Sequence, residues 1–398
     1  MNNELDQNNN KNLYIFLIIG VILVAANLRA PLTSAGALVS FIRDDFGISN
    51  ALAGSITTLP LIAFALLSPF APKIARRIGM ETTIALSLVL LILGMFIRSA
   101  SGIGLLFTGT LMIGLAIAVG NVLMPGIVKM NFPHKIGLMT GLYAIVMNVF
   151  GALGSGLSIP IATSGNFNWR SALLIWVSLS ILALLVWLVQ LKNRSKPRGN
   201  IKNQQLGGLF KSPLAWKITI FMGAQSLIFY TLITWLPTIL TSNGYDIHLA
   251  GWGVFAFQLA SIPFTFIIPV VADKMKDQVL IAALSGLIIL IGIGGLLLGH
   301  SELSLLWVIL LGVGNGSAFS LSMMFYTLRT RDGYQAAELS GMAQSLGYLL
   351  AALGPVLVGG LQDISGSWFL PLSLMLIVSL VMVLTGIASG KNRNVTES

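Results

Sequence analysis

Between Leu13 and Ser389 the chain is a succession of long apolar runs, with charged residues confined almost entirely to the short stretches between them. An α-helix rises about 1.5 Å per residue, so a hydrocarbon layer of roughly 30 Å is crossed by about 20 apolar residues. By that ruler the sequence predicts about twelve spans, near 13–38, 48–70, 83–99, 103–130, 137–162, 169–191, 214–240, 248–271, 278–299, 303–328, 337–361 and 368–389. Only 9% of residues are charged and 56% are hydrophobic. A water-facing surface needs nearer a quarter charged, so the chain reads as an all-α integral membrane protein. The first run begins after a polar tail, residues 1–12, and is too long for a signal-peptide core. It reads as the first span.

Charge distribution sets the expected orientation. Of the 23 Lys and Arg residues, 19 fall in the stretches on the side of the N-terminus. The opposite loops hold only Arg43, Arg98 and Arg170. Under the positive-inside rule both termini are cytoplasmic, in a multi-pass protein of the cytoplasmic membrane. The net charge of +10 is then explained by topology and lipid head groups rather than by nucleic acid. Cysteine is absent, which excludes disulfides, thiolate metal sites and a cysteine nucleophile. His134, His248 and His300 lie at span edges without metal-ligand spacing, and no nucleophile, general-base or phosphate-loop arrangement appears. A cofactor, a metal or enzymatic chemistry is therefore not expected.

The two halves repeat. Leu52-Ala53-Gly54 recurs as Leu249-Ala250-Gly251, Gly120-Asn121 as Gly314-Asn315, Gly141 as Gly341, and Ala152-Leu153-Gly154 as Ala352-Leu353-Gly354. The matches keep their order, and each lies in the corresponding helix of its half. The expected organisation is a six-helix bundle over 13–191, a basic cytoplasmic linker over 192–213, a second bundle over 214–390 and a tail over 391–398. A parallel repeat of this kind relates the bundles by a pseudo-two-fold along the membrane normal, with a solute site near the midplane.

Arg29 is the most informative residue for function. It stands in the middle of the first apolar run, where an arginine costs at least about 2.5–3.5 kcal/mol and must face the protein interior or a wet cavity. All 13 acidic residues fall in tails, loops or span ends. The natural partner of the guanidinium is then an anionic or electron-rich solute, gripped bidentately; the structural alternative is satisfaction by helix carbonyls and amides. Pro31 removes the helical partner of the Asn27 carbonyl, Pro125 that of Asn121, and Pro237 that of Ile233. Asn27 and Asn121 add a side-chain amide at the first two breaks. Asn148, Gln225, Tyr230, Gln344 and Tyr348 are further candidate solute contacts within spans, against the alternative of interhelical hydrogen bonds. Tyr230 and Gln344 share faces with Thr234 and Tyr348 at i,i+4. Glycines such as Gly94, Gly104, Gly151, Gly156, Gly292 and Gly295 read as packing devices.

The loop Pro72-Lys73-Ile74-Ala75-Arg76-Arg77-Ile78-Gly79 resembles the signature loop of the major facilitator superfamily, with Arg76 at its usual acidic position and Met80 at its basic one. The repeat, Val271-Ala272-Asp273-Lys274, keeps the acid. Arg76, Arg77 and Asp273 are thus candidates for a cytoplasmic gate. Asn27-Leu28-Arg29-Ala30-Pro31, Gly120-Asn121-Val122-Leu123-Met124-Pro125, Gln225 to Tyr230 with Trp235-Leu236-Pro237, and Gly341 to Tyr348 look like the cyanate and 2-nitroimidazole transporter branch. The resemblance implies the twelve-helix fold of that superfamily and transport of a small anionic or nitro-bearing solute by alternating access, by a monomer in the lipid bilayer. The alternative is a multidrug-type exporter of neutral or cationic compounds, which would want an intramembrane carboxylate. A channel would show charge rings or a filter loop. For proton coupling the sequence offers only Asp246 and Glu338, near span ends.

Overall fold

The computed structural model describes residues 2–193, 208–245, 247–299 and 301–396. Among them there is no strand. The chain runs through α1 (Asn2–Asn27), α2 (Ala30–Ala37), α3 (Val39–Phe46), α4 (Asn50–Leu67), α5 (Ala71–Ile78), α6 (Met80–Ser99), α7 (Ile103–Asn131), α8 (Ile136–Ala162) and α9 (Trp169–Leu188). It continues through α10 (Pro213–Ser242), α11 (Ile247–Lys274), α12 (Val279–Leu297), α13 (Ser304–Leu328), α14 (Gly333–Ser365) and α15 (Phe369–Gly390). Eleven stretches are long and apolar enough to cross a membrane, and α4 with α5, bent by 57°, makes a twelfth when counted as one span. The twelve-helix expectation holds. The second span differs in form: it ends at Leu67, and the basic loop that follows is itself helical. Gly79, at φ +90°, supplies the left-handed turn that lets α6 start at once.

Contacts divide the chain into two compact units, Met1–Met124 with Leu142–Gln204, and Pro125–Gly141 with Gln205–Ser398. In the first unit, glycines on α7 and α8 admit their neighbours. A Cβ on Gly114 would lie 2.9 Å from the Pro60 Cα of α4, and one on Gly120 would lie 2.6 Å from a Leu28 methyl. Gly94 on α6 closes on Gly109 of α7, where an added Cβ would meet backbone at 3.1 Å. Gly104 and Gly156 face open space, so the packing reading fits Gly94 and Gly151 but not these two. In the second unit Gly312 of α13 abuts the Phe257 carbonyl of α11, and Gly354 of α14 abuts Leu227 and Thr231 of α10. Gly292 and Gly295 of α12 receive Leu311 and the Trp307 ring. Close helix contact through small residues is how apolar helices associate when lipid removes the hydrophobic drive.

Many large apolar side chains lie on the exterior, with Leu66, Trp252, Val356 and Leu384 more than half exposed. A water-facing surface would not carry so many such residues. A lipid-facing surface does, because the bilayer is their solvent.

Candidate solute-binding site

The first span is broken where its sequence predicts. α1 stops at Asn27, α2 begins at Ala30 with proline in its first turn, and Arg29 is the N-cap at φ −124° and ψ −45°. The same Asn-x-x-x-Pro spacing does not interrupt α7, which runs on through Pro125, nor does Pro237 interrupt α10. Around the first break, Leu28 N–H turns to the Ala25 carbonyl at 3.1 Å, and Thr33 Oγ1 donates to the Arg29 carbonyl at 3.2 Å. The Asn27 amide donates to the Leu23 carbonyl at 2.8 Å and to the Leu179 carbonyl of α9 at 3.4 Å, while its oxygen accepts from the Ser180 hydroxyl. On the far side of the break, buried Arg98 of α6 donates from Nη1 to the Pro31 carbonyl at 2.8 Å. The kink is thus held by α9 before it and by α6 after it.

Arg29 is partly buried, and its stem passes over Gly151 of α8. A Cβ at that glycine would sit 3.2 Å from the Arg29 Cβ. Gly154, one turn on, takes Ala30 and Thr33 at contacts that any side chain would close. On α7 and α8, Tyr143 donates its hydroxyl to Asn121 Oδ1 at 3.1 Å, with both residues buried. Asn148 is half-buried on α8. The first unit therefore joins Asn27, Arg29 and the Asn121–Tyr143 pair around one broken helix, but Asn27 spends its amide on the protein.

In the second unit, Gln225 donates to Asn315 Oδ1 at 2.8 Å and accepts from Ser226 at 3.1 Å. Gln344 is fully buried and donates to Ser340 Oγ at 2.7 Å. Tyr230 is half-buried on α10 and Tyr348 is buried on α14. Of the gate candidates, Arg76 is half-buried and Arg77 exposed on α5 in the first unit. Asp273 is exposed at the end of α11 in the second, its Cβ against Gly137. Asp246 lies outside the described residues, and Glu338 is half-buried in the first turns of α14.

Three cations depart from the loop positions that their sequence predicts. Arg98 is not in an outer loop: it belongs to the last turn of α6 and is 1% exposed. Lys129, on the last turn of α7, reaches the carbonyls of Thr327 and Thr330 at the end of α13. Arg329, 2% exposed, donates to the Ser389 carbonyl at 2.9 Å, the Gly390 carbonyl at 2.7 Å and the Gln278 side chain. Burial pushes the Arg329 guanidinium down to about 10, a fall that Asp277 opposes, so it stays charged at neutral pH. Cations on the final carbonyls of a helix complement its negative end. A basic residue flanking an apolar run looks the same in sequence whether it faces water or a helix end. Tyr143 and Ser180 give no sequence signal for a different reason: a lone hydroxyl in a span carries none until its partner is known.

The fold and the break can now be set beside known proteins. Residues 15–355 match the family described as Major Facilitator Superfamily. Over 384 residues, 96% of this chain and 97% of the relative, it is 42% identical to the 2-nitroimidazole transporter of Escherichia coli (strain K12). It is also 24% identical to the cyanate transport protein CynX of the same organism, over 89% of this chain and 92% of that one. The solved structure of the proton:xylose symporter XylE, bound to 6-bromo-6-deoxy-D-glucose, superposes at a TM-score of 0.76 with 11% identity, covering 98% of each chain. The chain belongs to the major facilitator superfamily. Within it, the chain is of the cyanate and 2-nitroimidazole transporter type: a multi-pass membrane transporter of small solutes and not an enzyme.

Proposed function

We propose that this protein is a secondary transporter that moves a small anionic or nitro-bearing solute across the cytoplasmic membrane by alternating access, with Arg29 as the anchor. The observation that carries the reading is a cation at the N-cap of α2, inside a broken apolar span. The guanidinium offers a planar fork of donors that suits an electronegative solute. The only carboxylate buried within the described first unit, Glu81, sits in the first turn of α6, while Arg98 lies in its last. Cyanate and the nitro group both present electronegative atoms that a guanidinium can hold, and relatives carrying those names flank this chain in sequence. Tyr143, Asn121 and Asn148 orient the solute in the first unit, and Tyr230 and Tyr348 do so in the second. Asn27, Gln225 and Gln344 shape these surfaces through the bonds they already make. Arg76, Arg77 and Asp273 serve the cytoplasmic gate, and both termini face the cytoplasm.

The test is thermal stabilisation of the purified protein by small anions, nitroaromatics, neutral solutes and cations, because a ligand that binds the folded state raises apparent stability by mass action. Organic anions or nitro compounds should stabilise the protein selectively, and Arg29→Ala should lose that organic-solute effect while remaining folded. Stabilisation by cations alone, as a multidrug-type exporter would show, sinks the reading. The absence of cysteine lets single-cysteine labelling test the orientation of each loop without background.

A further inference from the structure

Beyond the Arg29 reading, the first unit contains a second cation whose surroundings are unusual. Arg98 is 1% exposed at the end of α6, and of its three guanidinium nitrogens only Nη1 has a partner, the Pro31 carbonyl. Nε and Nη2 have none among the described residues. Two further buried donors are in the same condition: the hydroxyl of Ser99, next to it on α6, and the indole N–H of Trp176 on α9, each 7% exposed.

The register of the two helices brings these groups to one level. The Ser180 hydroxyl of α9 contacts Met95 Sδ of α6 at 3.7 Å, and Trp187 Nε1 donates to the Glu81 carbonyl at 2.9 Å near the other ends, so the helices run antiparallel. One turn beyond Met95 on α6 come Arg98 and Ser99; one turn back from Ser180 on α9 comes Trp176. Guanidinium and indole nitrogens can only donate, and a hydroxyl can donate as well as accept. A buried charge with spare donors and no carboxylate calls for an acceptor, preferably a charged one.

We propose that Arg98, Ser99 and Trp176 form a seat for a small inorganic anion of halide or nitrate size, separate from the solute site at Arg29. The anion neutralises the buried guanidinium. Through the Arg98–Pro31 bond it stiffens the start of α2, two residues from Arg29. Specificity follows from the donor set: a compact monovalent anion is accepted, a bulky carboxylate such as gluconate is not.

The experiment is a titration of the purified full chain with chloride, nitrate and iodide against gluconate at constant ionic strength, read by melting temperature and tryptophan fluorescence. The wild type and Arg29→Ala should both show saturable stabilisation, with a saturable component of iodide quenching that disappears in Trp176→Phe. Arg98→Lys, which keeps the charge but loses the fork, should raise the half-saturating concentration at least about tenfold. Arg98→Gln should abolish the response. If Arg98→Gln does not fold, the wild-type titration and the lysine variant still decide. No saturable response in the wild type means that water satisfies these donors, and the proposal falls. An unchanged half-saturation in Arg98→Lys also overturns it. A response lost in Arg29→Ala but kept in the Arg98 variants assigns the anion to the solute site and defeats this proposal alone. Conversely, loss of the organic-solute effect in wild type with the halide effect intact defeats only the Arg29 reading.

Discussion

The two units build the same helix contact and fill it with different chemistry. In the first, Gly154 of α8 receives Thr33 and Ala30; in the second, Gly354 of α14 receives Thr231 and Leu227. Thr33 and Thr231 are 198 positions apart, within the offsets of the sequence repeat. The same spacing sets Arg29 against Leu227, Asn27 against Gln225 and Pro31 against Phe229. Gly114 with Pro60 and Ala63, and Gly312 with Phe257 and Ala260, repeat a second contact in the same way. The scaffold is thus duplicated while the charge and the helix break belong to one copy. α10 stays continuous with a neutral amide where the first span carries its break. A transporter of this build needs both halves for the fold, but one cation beside the broken helix is enough for an anion, and the equivalent position in the second unit, Leu227, is neutral.

The largest expected effect tests that asymmetry directly. Arg29→Ala should lower solute transport at least about a hundredfold, because the proposed charge-assisted bidentate contact is lost, and Arg29→Lys should restore only a small part of it. Leu227→Ala, at the equivalent place, should change transport by less than about threefold, since no charge is removed and an interhelical contact is worth little in lipid. Comparable losses at both positions would mean that the site draws equally on both copies.

Next come the paired amides. Gln225→Leu leaves the Asn315 oxygen without its donor and should destabilise the protein by about 1–3 kcal/mol, and Asn27→Leu should do the same at Ser180. Combined with Ser180→Ala, Asn27→Leu should cost less than the sum of the two, read from thermal melts, because the two residues share one bond.

Smaller still is the difference between the two glycine contacts. A Cβ at Gly154 would meet the Ala30 carbonyl at 2.7 Å, whereas one at Gly354 would meet the Leu227 carbonyl only at 3.2 Å. Gly154→Ala should therefore destabilise more than Gly354→Ala, both within about 1–3 kcal/mol. The smallest effect is expected two residues away, at Gly156, where an added Cβ meets nothing within 4 Å. Gly156→Ala should be neutral or stabilise by up to about 1 kcal/mol through helix propensity. Destabilisation there would show that the face is not open.

Much of this was legible in sequence because the signals are local. A span announces itself by about 20 apolar residues in a row, and a proline four residues after Asn27 marks a lost backbone bond wherever the helix lies. Even so, the same proline spacing breaks the first span and leaves α7 intact. A proline only weakens a helix, and the packing around it decides whether the chain turns. The basic stretch after α4 reads as a loop because hydropathy responds to Arg76 and Arg77, not to backbone geometry. Arg98 reads as a loop residue because an arginine ending an apolar run looks like a flank.

The sequence by itself determined the helical class, the number of spans, the repeat and the isolation of one arginine in an apolar run. Each follows from the order of residues and the length of helix needed to cross lipid. The tertiary structure decided which groups meet. Arg98 reaches Pro31 across 67 positions, Ser180 reaches Asn27 across 153, and Lys129 reaches Thr330 across 201. Such pairings depend on how far each helix is rotated and shifted against its neighbours. Glycine contacts set that rotation and shift, and no window along the chain contains both partners.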